Sequence, residues 1–87
     1  MATYLVTHSH SPAGCEDATD ISRKMLESMP PQIKQVYLQP GEHIFYFVVE
    51  AQDHREVYRL FRELEEYGIN DIVPVLNREE TMEVLHS

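Results

Sequence analysis

The chain has 87 residues, 43% hydrophobic and 25% charged, with seven basic and fifteen acidic side chains giving a net charge of -8. That composition describes one small folded domain with a thin core, and its acidity argues against a nucleic-acid or anionic-membrane partner. A single cysteine, Cys15, excludes a disulfide-stapled miniprotein.

Tyr4 to His10 (YLVTHSH) opens β-branched and aromatic and predicts a first strand. Ser11 to Gly14 reads as a loop. Asp17 or Thr19 is placed to cap a helix that carries Ala18, Ile21, Met25, Leu26 and Met29 on one face and stops at Pro30 and Pro31. Ile33 to Gln39 is a second strand, and Pro40-Gly41 marks a hairpin turn. His43 to Ala51 (HIFYFVVEA) is the strongest strand in the chain. Asp53 and Glu56 have capping-box spacing before a helix striped with Val57, Leu60, Phe61 and Leu64, which Gly68 is placed to end in a left-handed turn. Ile69 to Leu76 is a fourth strand. The acidic stretch from Arg78 to Ser87 predicts a short helix or a frayed tail.

The order βαββαβ is that of a ferredoxin-like α+β domain, a single unit over residues 1–87 with its core in 4–76. Such a domain usually has an antiparallel sheet in the order 4-1-3-2 with two helices on one face. Pro74 fits this topology, because proline is confined to edge strands and the fourth strand is an edge. The third strand poses a question. His43, Phe45, Phe47 and Val49 alternate with Ile44, Tyr46 and Val48, so both of its faces are apolar. A sheet covered by helices on one side would leave the second face wet, and a homodimer that buries that face is the economical expectation. The alternative is a C-terminal segment folded back over it.

The longest apolar run, Ile44 to Val49, falls far short of the roughly 20 residues that cross a bilayer, and no signal-peptide pattern opens the sequence. A cytoplasmic protein without membrane contact is the expectation.

His8 and His10 stand at i and i+2 on the first strand and therefore share a face. In the 4-1-3-2 order the start of the third strand, His43, lies beside the end of the first. Cys15 follows on the loop leaving that corner, with Glu16 and Glu42 near enough to contribute. Imidazole with thiolate favours zinc or copper over iron or nickel, so His8, His10, His43 and Cys15 form a candidate transition-metal site. The spacing H-x-H-x4-C matches no standard finger. Half-exposed strand-end histidines and a small apolar cysteine are the plainer reading. Cys15 beside a histidine also meets the minimum for a nucleophile, without an evident third group to orient it. His54 and His86 read as solvated. Arg55, Arg59 and Arg62 line one helix, where neighbouring acids are their natural partners. Isolated glycines exclude a phosphate loop.

Taken together, YLVTHSH, YFVVEA, RLFRELEEYG and DIVPVL resemble a domain-of-unknown-function family of small ferredoxin-like proteins of the dimeric α+β-barrel type, over most of residues 4 to 76. The resemblance implies two such units packed sheet to sheet. Relatives of this architecture include cofactor-independent monooxygenases and haem-binding proteins, which adds haem or a small molecule to the ligands to consider. Three functions therefore stand open: a metal-binding protein, a metal-free accessory protein that self-associates, and a small-molecule enzyme with a pocket between sheet and helices that Tyr4, Tyr37 and Tyr46 could line, although core positions are the plainer reading of those tyrosines.

Overall fold

A computed structural model describes residues 1–87. Strand β1 (Ala2–His10) is followed by helix α1 (Cys15–Ser28), strands β2 (Ile33–Gln39) and β3 (Ile44–Ala51), helices α2 (His54–Leu60) and α3 (Arg62–Glu65), strand β4 (Gly68–Val75) and helix α4 (Arg78–His86). All strand pairs are antiparallel, in the order β2-β3-β1-β4, which is the 4-1-3-2 order read from its other end. The fold is thus the ferredoxin-like α+β arrangement. Pro74 lies on edge strand β4 opposite Tyr4, where its missing N–H costs no inner ladder bond.

Alternation decides which residues make the core. Tyr4, Val6, His8 and His10 of β1 are buried, as are Phe45, Phe47, Val49 and Ala51 of β3. Ala18 of α1, Val57 of α2, Phe61 at the α2–α3 junction and Leu64 of α3 close over that face, all at 0% exposure. The rings of Phe47 and Phe61 meet at 4.8 Å, within the range of favourable aromatic pairs. The opposite face carries Leu5, Thr7, Ile44, Tyr46, Val48, Ile69, Val73 and, on β2, Tyr37. α4 buries none of its residues against it, and its apolar Met82, Val84 and Leu85 stay exposed. α4 is nevertheless a well-formed helix, held by a reciprocal capping box between Asn77 and Glu80.

Several expectations are corrected at element ends. Helix α1 begins at Cys15, not at an Asp17 or Thr19 cap, because a 3₁₀ turn over Pro12–Gly14 leads straight into it. It ends one residue early for Met29, which takes the left-handed conformation (φ 46) and is exposed. His43 is not a strand residue. It follows a 3₁₀ turn at Pro40–Glu42 and adopts φ 56, ψ 46. Asp53 caps α2 by accepting from the Glu56 N–H, while the Glu56 carboxylate accepts from Gln52 and not from Asp53. The helix that follows is interrupted at Phe61 and does not run to Gly68. Arg55, Arg59 and Arg62 form no salt bridge; the one ion pair is Arg23–Asp20.

Gly68 is not a left-handed cap either, since no glycine has positive φ. It pairs with His10 at the start of β4, and a Cβ there would fall 2.2 Å from the Ser9 carbonyl oxygen, 2.8 Å from His8 Cε1 and 3.0 Å from His10 Cα. Glycine is required by close approach, not by φ. Gly68→Ala is expected to lower unfolding stability by about 2–3 kcal/mol or more in urea titration, as forced overpacking of a strand pair does. Gly41→Ala, with nothing within 4 Å, is expected to change it by less than about 0.5 kcal/mol. Equal effects would refute this packing account.

Candidate metal centre

The corner where β1 ends gathers its side chains by three separate devices. Strand alternation aims His8 and His10 into the helix-covered face, where they are 0% and 8% exposed. The left-handed turn at His43 breaks the alternation of the β3 approach, and its carbonyl still accepts the His10 N–H, which ties the two histidines together through the backbone. Histidine is among the residues that tolerate this conformation, though it costs of order 1 kcal/mol and such strain concentrates at functional sites. The Pro12–Gly14 turn then returns the chain so that Cys15 is the first residue of α1, at the same corner.

The resulting distances are short. His43 Nδ1 lies 3.3 Å from Cys15 Sγ, and the donor atoms of His10, Cys15 and His43 all fall within 4.8 Å of one another. A tetrahedral zinc with bonds of 2.0–2.3 Å needs its ligand atoms about 3.3–3.8 Å apart, so small rotamer adjustments suffice. The ring of His10 is central, 5.3 Å from His8 and 5.4 Å from His43. His8 stands behind His10, outside that convergent group. Thr19, one turn along α1, places its hydroxyl 3.9 Å from Cys15 Sγ. Glu16 and Glu42 are exposed and do not join the group.

The polar atoms here are unusual for a core. His8 Nε2 and both ring nitrogens of His10 are buried without a hydrogen-bond partner, as is Ser22 Oγ. Each orphaned polar atom costs about 1–3 kcal/mol, so this corner is expensive unless something binds it. A cation coordinated by imidazole nitrogen answers that demand chemically. The hollow at His10, Cys15 and His43 is about 190 Å³, below the roughly 300–1,000 Å³ of pockets for drug-sized ligands and ample for an ion.

Burial lowers the pKa of His8, outweighing the opposite effect of its hydrogen bond to Asn70. His10 is lowered first by burial and then by repulsion from His8 and His43. Both are thereby favoured as neutral imidazoles, the form that ligates metals.

Sequence reasoning missed Asn70 and Gly68, which face His8 and His10 across the β1–β4 pair. An antiparallel β4 implies such neighbours, but the register that selects them is not written in the hydrophobic pattern. Of the three tyrosines, Tyr4 is a core residue, in keeping with the plainer reading, whereas Tyr37 and Tyr46 belong to the open sheet face and not to the core. His54 is exposed as expected, its ring edge-on to Tyr4 at 5.8 Å.

A solved structure described as "Crystal structure of antibiotic biosynthesis monooxygenase" superposes on this fold with a TM-score of 0.62 at 13% identity, covering 88% of this chain and 98% of that one. At that identity the likeness defines the fold alone. The family model described as Domain of unknown function (DUF3303) matches residues 2–87, and the chain belongs to that family. No curated protein matches it. No helix is long and apolar enough to cross a membrane.

The lowered histidines set a pH dependence. Above their ordinary value of 6.5 neither folded nor unfolded chain binds these protons, and their contribution to stability is constant. As pH falls below 6.5 the unfolded chain protonates first, so stability drops until the folded-state values are passed. Urea titrations in the presence of a chelator are expected to show stability declining from about pH 6.5 downward, and His10→Gln is expected to flatten that decline. An unchanged slope in His10→Gln would contradict the burial argument.

Proposed function

We propose that this protein binds a transition metal ion, zinc or copper, through His10, Cys15 and His43, with His8 supplying a fourth nitrogen behind them. The observation that carries the reading is the convergence of three ligand atoms within 4.8 Å at a corner where the buried nitrogens of His10 lack any other partner. Two imidazoles and a thiolate are a borderline-to-soft set, suited to those ions and poorly suited to calcium or magnesium. His43 and Cys15 are only half-buried, so an ion can enter and leave from solvent while His8 and His10 close the inner side. That accessibility favours sensing, storage or delivery of the ion, or a reaction at it, over a sealed structural role.

Protein purified without an affinity tag is expected to carry about one metal equivalent per chain, and the stripped protein to regain it. At a hundredfold excess over Kd, binding adds about 2.7 kcal/mol, a rise in Tm of roughly 10 °C or more for a domain this size. His10→Ala is expected to abolish both effects. Less than about a tenth of an equivalent, with no thermal shift on adding zinc or copper, would sink the proposal.

Self-association is the second reading, and a separate observation supports it. On the open sheet face Tyr37 is 56%, Ile69 74% and Val73 42% exposed, flanked by half-buried Leu5, Ile44, Tyr46 and Val48. No element of the chain covers this face, and a second copy meeting it sheet to sheet would. Sedimentation at micromolar concentration is expected to give a dimer, and Leu5→Lys at the middle of the face a folded monomer. A wild-type monomer would refute it. A monooxygenase role draws support from fold likeness alone, which does not carry a reaction.

A further inference from the structure

We propose that Asn70 is a positioning residue that holds the His8 proton on Nδ1 and so keeps the Nε2 lone pair free to bind the metal. The direction of each hydrogen bond follows from its last member. The Phe61 carbonyl can only accept, so the Asn70 atom 2.9 Å away must be the amide nitrogen, Nδ2. Asn70 Oδ1 then faces His8 Nδ1 at 2.7 Å, and an amide oxygen can only accept. His8 must therefore donate from Nδ1.

Nε2 has no acceptor to take a proton, and with the single ring proton held on Nδ1 it keeps its lone pair. That nitrogen is on a fully buried side chain and has no partner. It belongs to a ring whose centroid lies 5.3 Å from that of His10, the inner member of the convergent group, with the two planes tilted by 32°. Two features of β4 make the arrangement achievable. Asn70 is the cross-strand partner of His8, so its side chain emerges on the same face. Two residues earlier Gly68 withholds the Cβ that would crowd His8 Cε1 at 2.8 Å. Phe61, whose carbonyl anchors the series, lies at the junction where α2 gives way to α3. A carbonyl, an amide and an imidazole in series are the outer-shell arrangement by which metal-binding histidines are oriented and made better donors.

This inference rests on the metal-binding reading, and two measurements separate them. Two-bond ¹⁵N–¹H correlation spectra of the metal-free protein report the His8 tautomer directly; a single Nδ1–H form is expected. Asn70→Leu is expected to release the tautomer into a mixture and to weaken zinc binding about tenfold to a hundredfold in chelator competition. Asn70→Asp can still accept the His8 proton, and is expected to keep the Nδ1–H form and zinc affinity within several-fold of wild type. A merely structural role for Asn70 would weaken both variants alike. An Nε2–H tautomer in the wild type, or Asn70→Leu with unaltered zinc affinity, overturns the inference. A wild type with the Nδ1–H form that takes up no zinc overturns the metal reading and leaves Asn70's control of the tautomer standing.

Discussion

Strand β1 is hydrogen-bonded along both edges, to β3 from Ala2 to Ser9 and to β4 from Thr3 to His10, and the rest of the molecule depends on that double pairing. A side-chain period of two means that a one-residue slip would turn His8 and His10 from the covered face to the open one. The register is held by Val6 against Phe47 and Ile72 at its centre and by the tight approach of Gly68 at its end. Everything at the site is placed relative to that strand end. His43 is tied to His10 by a backbone bond, Asn70 faces His8 across the ladder, and Cys15 follows after one turn of 3₁₀ helix.

The same geometry makes the corner costly for an empty protein. A domain of this size is held by about 5–10 kcal/mol, and several buried nitrogens without partners take a substantial share of it. The left-handed backbone at His43 adds to that cost. Apolar side chains of similar volume would remove the expense and improve the core. The presence of imidazole at His8 and His10, with the proton of His8 placed by a defined series of hydrogen bonds, makes physical sense if the nitrogens have a partner that is not a protein atom.

Much of this was legible in the sequence. The element order, the edge position of Pro74 and the centrality of β3 all follow from alternation and proline placement, and the sheet order follows from them. The convergence of His10, Cys15 and His43 was legible too, because antiparallel topology brings a strand's end beside its neighbour's beginning. What was not legible depended on atoms that alternation does not specify. The break at Phe61 lies within an unbroken apolar stripe, and Gly68 looks like a helix cap until the approach of Ser9 is known. Asn70 carries no signal of its own; it matters because its amide is trapped between an obligate acceptor and an imidazole. The sequence also left open which face the histidines occupy, and their burial beneath the helices settles it.

Cobalt substitution tests the central claim most directly, because Co²⁺ takes the tetrahedral nitrogen-and-sulfur sites that zinc does and reports its ligands in its absorption spectrum. Titration of Co²⁺ into the metal-free protein is predicted to saturate near one equivalent per chain, with strong visible bands of a tetrahedral ion and a near-ultraviolet thiolate-to-cobalt band. The thiolate band is predicted to disappear in Cys15→Ser while the visible bands persist. A spectrum no different from that of hydrated cobalt, in a wild-type protein shown to be folded, would contradict the account.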